Sequence, residues 1–122
     1  MNVLKSAVTS CDWNFNFFVT CSDDQRVMVW NPKNWEFLYE FKSDIEEWHT
    51  LTYLKMHHEK NQIFISTQNG YLLVWCLENK KILFKKKIHN GSIEGLKWNQ
   101  KKDIFGTCSS DCTVNIFRNN FN

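Results

Sequence analysis

At 122 residues the chain is long enough to bury one core and too short for two of ordinary size. It is 43% hydrophobic and 16% aromatic, with six Trp and ten Phe, and this bulky apolar surface excludes a disordered segment. A formal net charge of +2 is too small a bias to announce a nucleic-acid or membrane partner, which normally needs clustered excess charge.

Along the chain, Met1–Ser6 lack the basic segment and sustained apolar stretch of a secretory leader, so no export is expected. Strands are predicted near 7–13, 17–22, 26–31 and 36–42, then 50–56, 62–67, 71–77 and 81–87, then 92–98, 103–109 and 113–118. Each is rich in Val, Ile, Phe, Trp, Tyr or Thr and bounded by Asn, Asp, Gly or Lys, and helical periodicity is absent over useful lengths. The third strand of each set is apolar at consecutive positions, which predicts that protein covers both its faces. The fourth, Lys81 to Lys87, is charged, as an outermost strand should be to discourage pairing with other chains. The longest apolar run, Tyr71–Leu77, falls far short of the roughly 20 residues of a membrane helix. The five cysteines, 11, 21, 76, 108 and 112, have no paired spacing, which predicts free thiols in a reducing, intracellular compartment, cytoplasmic or nuclear.

Self-similarity decides the organisation. The segment Asp24–Trp30 returns as Asn69–Trp75 and as Asp111–Phe117, at intervals of 45 and 42 residues. Upstream, Val8-x-x-Cys11-x-Trp13 returns as Leu51-x-x-Leu54-x-Met56 and Ile93-x-x-Leu96-x-Trp98, at intervals of 43 and 42. Between the two patterns lie Phe17–Ser22, Ile63–Thr67 and Ile104–Ser109. Small sheets covered on both faces are expected, as in blades set around an axis.

On these residues the chain resembles the WD repeat, in which an apolar strand, a Ser/Thr strand, an Asp and a strand ending in Trp recur every 40 to 45 residues. The resemblance covers nearly the whole chain. It implies an all-β fold, a partial propeller of three four-stranded antiparallel blades, in repeats of approximately 4–44, 45–88 and 89–122, the last lacking its outer strand. It also implies a buried hydrogen-bonded set of His, Ser/Thr, Asp and Trp in each repeat. The corresponding residues are Ser22, Asp24 and Trp30; Thr67, Asn69 and Trp75; and His89, Thr107, Ser109, Asp111 and Phe117. Departures stand at Leu4 and Glu47 in the histidine position, Asn69 for Asp, and Phe117 for Trp, which removes an indole N–H and leaves one hydroxyl to find another partner.

Propellers have four to eight blades, so three do not close a ring. Residues 2–5 can serve as a last blade's fourth strand, and the chain is expected to be an excerpt of a longer propeller or half of one built from two chains. The resemblance implies a non-enzymatic scaffold that binds other proteins within a multiprotein complex. Binding would use rim residues Asp23, Gln68 and Ser110 and those entering the first strands, Ala7, Trp48, His49, Thr50 and Ser92. Trp48 is the best anchor, with burial under the long connection the competing reading; Trp35 shares that ambiguity.

No catalytic, cofactor or metal site is expected, nor a membrane or nucleic-acid partner. His57 and His58, with His49 nearby, lack ligand spacing and are expected in a solvated loop. Cys108 with His89 is read as packing, because Cys21 holds the equivalent place. The alternative function is phosphate or nucleic-acid binding by the basic cluster Lys80–Lys87.

Overall fold

Runs of β-branched and aromatic residues as short as these gain burial only when sheets stack, and that is how they are used. The computed structural model describes residues 7–22, 26–41, 51–57, 59–99 and 101–121. Among them it forms strands and no helix: β1 (Val8–Trp13), β2 (Phe18–Ser22), β3 (Val27–Trp30), β4 (Phe37–Phe41), β5 (Leu51–Met56), β6 (Gln62–Thr67), β7 (Tyr71–Cys76), β8 (Lys81–Lys87), β9 (Ile93–Asn99), β10 (Ile104–Ser109) and β11 (Val114–Arg118). All lie within two residues of the predicted bounds. Leu4 and the rest of 2–5, Asp23, Asp24, Glu47, Trp48, His49, Thr50 and His58 lie outside the described residues.

The strands make three antiparallel meanders, β1-β2-β3-β4, β5-β6-β7-β8 and β9-β10-β11, the last with three strands among the described residues. The first strands of successive sheets approach each other, β1 beside β5 and β5 beside β9, while β4 and β8 form outer edges. This is the radial packing of propeller blades.

Alternation then assigns every side chain to one of two interfaces. On β6 and β7, Ile63, Ile65, Leu73 and Trp75 face the first sheet and pack on Val19, Cys21, Val27 and Val29. Phe64, Leu72 and Val74 point the other way, onto Leu96 and Phe105 of the third sheet. Trp75 stacks on Phe41 with centroids 4.0 Å apart, and Phe64 meets Trp98 edge-on at 4.5 Å. The middle sheet is thus covered twice and β6 is buried throughout.

The prediction for third strands holds for β3 and β7 and fails for β11, whose Val114 and Ile116 are 69% and 67% exposed. The physical reason is position, since no described sheet lies against the far face of the third one. For the same reason Cys21 is buried and its equivalent Cys108 is exposed, so the reading of Cys108 as packed is corrected.

Gly70, in the β6–β7 turn, has φ of +89°, and its carbonyl accepts hydrogen bonds from the Ile88 and His89 N–H groups. A Cβ there would sit 2.1 Å from the His89 carbonyl oxygen. Gly70→Ala is therefore expected to destabilise the fold by at least about 1–3 kcal/mol, seen as a lower urea midpoint. An unchanged midpoint would contradict this turn geometry.

Candidate interaction site

The deepest polar set sits where the connection from β8 crosses the top of β10. Thr113 Oγ1 donates to Asp111 Oδ1 at 2.5 Å, so its oxygen lone pairs face the Nδ1–H of His89, 2.7 Å away. That puts the ring proton on Nδ1 and leaves Nε2 to accept from the Thr107 hydroxyl at 2.8 Å, with Asn115 Nδ2 at 3.4 Å. Asp111 Oδ2 lies 3.3 Å from Nδ1 and also accepts the Asn90 N–H at 2.8 Å, while Ser109 Oγ accepts the Asp111 N–H at 3.1 Å. The Thr113 hydroxyl, outweighing burial, together with the Asn90 and Thr113 N–H groups, holds the Asp111 carboxyl well below the usual carboxylate range. Phe117 stays out of this set and stacks on Phe105 at 5.1 Å; it offers no N–H to the Thr107 oxygen, whose hydroxyl proton goes to His89 Nε2.

The other two sheets bring together smaller parts of the expected set. In the first, Trp30 Nε1–H donates to Thr20 Oγ1 at 3.2 Å, and Ser22 is buried with its N–H on the Arg26 carbonyl at 3.1 Å. In the second, the Thr67 hydroxyl donates to Asn69 Oδ1 at 2.5 Å and its oxygen accepts the Tyr71 N–H at 2.9 Å. Trp75 lies in the apolar interface, opposite Ile63 as Trp30 is opposite Phe18.

A second polar feature went unnoticed in the sequence, and it recurs between sheets. Asn14, the residue after β1, donates from Nδ2 to Asn61 Oδ1 of the second sheet at 3.1 Å and to the His57 carbonyl at 3.2 Å. His57, the residue after β5, is buried and reaches Asp103 Oδ1 of the third sheet at 2.9 Å. Its Nδ1 accepts the N–H groups of Glu59 and Lys60, at 3.2 and 3.0 Å, so Nε2 carries the proton given to Asp103. The expected solvated loop is corrected here for His57: an aromatic contact with Trp98 at 5.2 Å and this tie draw it inward. Burial opposes ionisation of Asp103, but hydrogen bonds from Lys60, His57 and Asn119 prevail and lower its pKa from 3.8 to about 2. Its φ of 50° is the strained turn that aims the carboxylate at His57. The repetition of Asn14 and His57 at the period of 43 was the available signal.

At the surface, Gln68 and Ser110 are exposed on the rim formed by the β6–β7 and β10–β11 turns. The opposite rim of the first sheet is aromatic. Trp13 stacks on Trp35 at 6.1 Å and 23°, and Phe18 stands edge-on to both at 5.8 and 5.5 Å. Trp35, at φ 62°, is 43% exposed and Phe15 is 90% exposed, beside a depression of about 540 Å³ lined by Trp13, Asn14, Phe15, Pro32 and Lys33. Lys81, Lys85, Lys86 and Lys87 are exposed along the outer strand β8, and Lys80 lies 4.7 Å above the Tyr39 ring.

Comparison with known proteins fits this geometry. The family model described as WD domain, G-beta repeat, matches residues 2–31 and 80–118, more than half of the chain. The chain belongs to the WD-repeat family. The chain is 27% identical over 110 residues to Protein HIR1 of Candida albicans and 26% identical over 121 residues to Protein HIR1 of Yarrowia lipolytica. The alignments cover 80% and 85% of this chain but only 12% and 11% of those proteins. The crystal structure of the computationally designed Ika4 protein superposes on 97% of the WD chain with a TM-score of 0.80 at 20% identity, over 69% of its own length. That likeness is one of fold.

Two outcomes test the polar sets. Thr107→Val leaves His89 Nε2 without its hydroxyl donor, and urea denaturation should show a loss of about 1–3 kcal/mol; a neutral result would contradict the assigned tautomer. Because the pKa of Asp103 is depressed on folding, its contribution to stability is present above pH 3.8 and is lost as pH falls towards about 2. The stability difference between wild type and Asp103→Asn should therefore shrink across that window. A difference independent of pH would refute the tie.

Proposed function

We propose that this WD-repeat chain is a non-enzymatic scaffold that mediates protein–protein interactions within a multiprotein complex, from repeats spanning approximately 4–44, 45–88 and 89–122. The observation that carries this reading is the aromatic rim of the first sheet. Trp is among the residues that dominate the energy of protein interfaces and Phe is enriched there, and a cluster already held by stacking loses little freedom on binding. Phe15, Trp35 and Pro32 provide that apolar anchor, with Lys33 at its edge for an acidic group on the partner.

Catalysis is disfavoured by how the titratable groups are used. His89 is fully buried with both ring nitrogens engaged, and His57 likewise spends both, so neither offers a proton to a substrate. The proposed rim contacts of Asp23, Trp48, His49, Gln68 and Ser110 remain part of the reading, on the opposite edge from the aromatic cluster for Gln68 and Ser110. Free thiols at Cys11, Cys21, Cys76, Cys108 and Cys112 support an intracellular, reducing location. No helix among the described residues is long and apolar enough to cross a membrane.

The alternative, phosphate or nucleic-acid binding through Lys80–Lys87, has less support. Those lysines are spread along an edge strand, where charge also serves to block pairing with other chains. Affinity capture from an extract of the source cells should recover the same proteins with wild type and with Lys85, Lys86 and Lys87 all changed to Glu, and lose them with Phe15→Ala plus Trp35→Ala. Capture that survives the aromatic changes, or that depends on the lysines and on low salt, would overturn this assignment.

A further inference from the structure

We propose that Asn90–Gly91 is a site of spontaneous covalent modification, at which the Asn90 side-chain amide is lost to give an isoaspartyl or aspartyl residue, and that this change loosens the junction between the second and third sheets. The inference goes beyond the scaffold reading and does not rest on it.

The chemistry belongs to the dipeptide. The backbone nitrogen of the residue after an asparagine attacks the side-chain carbon Cγ, an N–Cγ bond forms, and Nδ2 leaves as ammonia with the proton that the attacking nitrogen gives up. Water then opens the resulting five-membered imide. Opening at Cγ leaves an aspartate, whereas opening at the backbone carbonyl leaves an isoaspartyl link, with the chain running through the side chain and one methylene longer. Water is the only co-reactant. A side chain on the attacking residue hinders the first step, and glycine, which has none and turns most freely, permits it best.

The chain holds two such pairs, and the structure treats them oppositely. At Asn69–Gly70, Asn69 Oδ1 accepts the Thr67 hydroxyl at 2.5 Å, and the attacking N–H of Gly70 is given to the Thr67 carbonyl at 3.2 Å. Gly70 is also buried, at φ +89°, with its carbonyl held by the Ile88 and His89 N–H groups. Attack there requires the turn to open. At Asn90–Gly91, in the short connection between β8 and β9, Asn90 is exposed. Among the described residues neither its side-chain amide nor the Gly91 N–H has a hydrogen-bond partner, so electrophile and nucleophile are both unengaged.

Packing demands this glycine. A Cβ on Gly91 would lie 2.6 Å from Ser110 Oγ and 3.2 Å from the Asp111 nitrogen, so the close approach of the β10–β11 turn requires glycine at the one position that makes Asn90 labile. The same segment joins two sheets. The Gly91 carbonyl oxygen lies 2.9 Å from the place a Cβ on Gly70 would take, in the β6–β7 turn, while the Asn90 N–H donates to Asp111 Oδ2 at 2.8 Å and the Ser92 carbonyl accepts the Ser110 N–H at 3.0 Å. A methylene inserted between Asn90 and Gly91 puts the first of these polar contacts out of step with the second. Either product also places a negative charge on a residue whose N–H meets the Asp111 carboxylate, a like-charge contact where the native side chain is neutral.

The test is to age the full chain in mildly alkaline buffer and follow positions 69 and 90 by peptide mapping. Isoaspartate is counted by transfer of a labelled methyl group from S-adenosylmethionine by an isoaspartyl carboxyl methyltransferase. Asn90 should lose its amide at least about tenfold faster than Asn69, which must first break several hydrogen bonds, and in concentrated urea the two should react alike. Urea midpoints of the aged protein should fall. Asn90→Gln, whose longer side chain disfavours the ring, should keep the midpoint of fresh wild type on ageing, and Asn90→Asp, which adds charge without the methylene, should lose less than the aged protein. An intact Asn90, equal rates in the folded chain, or a difference that persists in urea overturns the site. Amide loss at Asn90 with an unchanged midpoint overturns its effect on the junction.

Discussion

The structure depends on one constraint: a four-stranded sheet of this size cannot bury its own apolar faces and needs a sheet on each side. Residues on β6 and β7 alternate between two cores, Ile63, Ile65, Leu73 and Trp75 to one and Phe64, Leu72 and Val74 to the other. Each core belongs to two sheets at once. Stability is then carried by neighbour interfaces rather than by any sheet alone, as in repeat proteins generally. The bare apolar residues at the two ends of the stack follow from the same constraint, and they explain why a chain with this composition displays so much aromatic surface.

Polar groups fix what apolar contact leaves undetermined. Sliding one sheet along another would also separate Asn14 from Asn61 and His57 from Asp103, and leave buried donors unpaired. The Met56 N–H given to Asp12 Oδ2 at 2.8 Å and the Tyr39 hydroxyl given to the Leu77 carbonyl at 2.5 Å add ties at the inner and outer ends of the first interface. His89 and Asp111 act within one sheet instead, anchoring the connection from β8 to the β10–β11 turn.

Much of this was legible in the sequence because the repeat speaks through residue type. Strand positions and the radial arrangement follow from spacing and from resemblance to the WD repeat, whereas Thr113 and Asn115, which meet the His89 ring at 2.7 and 3.4 Å, were not among the residues expected around it. Neighbour relations were less legible. The apolar run in β11 reads like those of β3 and β7, and only its place at the end of the stack leaves Val114 and Ile116 bare. His57 was missed because its partner Asp103 is 46 residues away and on another sheet, and because two adjacent histidines read as a polar loop. The cluster of Trp13, Phe18 and Trp35 was hidden for a similar reason, since Trp13 ends β1, Phe18 begins β2 and Trp35 comes from the β3–β4 turn.

The central claim is that the middle sheet is sealed on both faces and the third on one. Amide hydrogen exchange followed by mass spectrometry reads this directly. Amides of β6 and β7 should exchange last, only through global unfolding, while those of β11 exchange first among the third strands. Equal protection of β3, β7 and β11 would contradict the account.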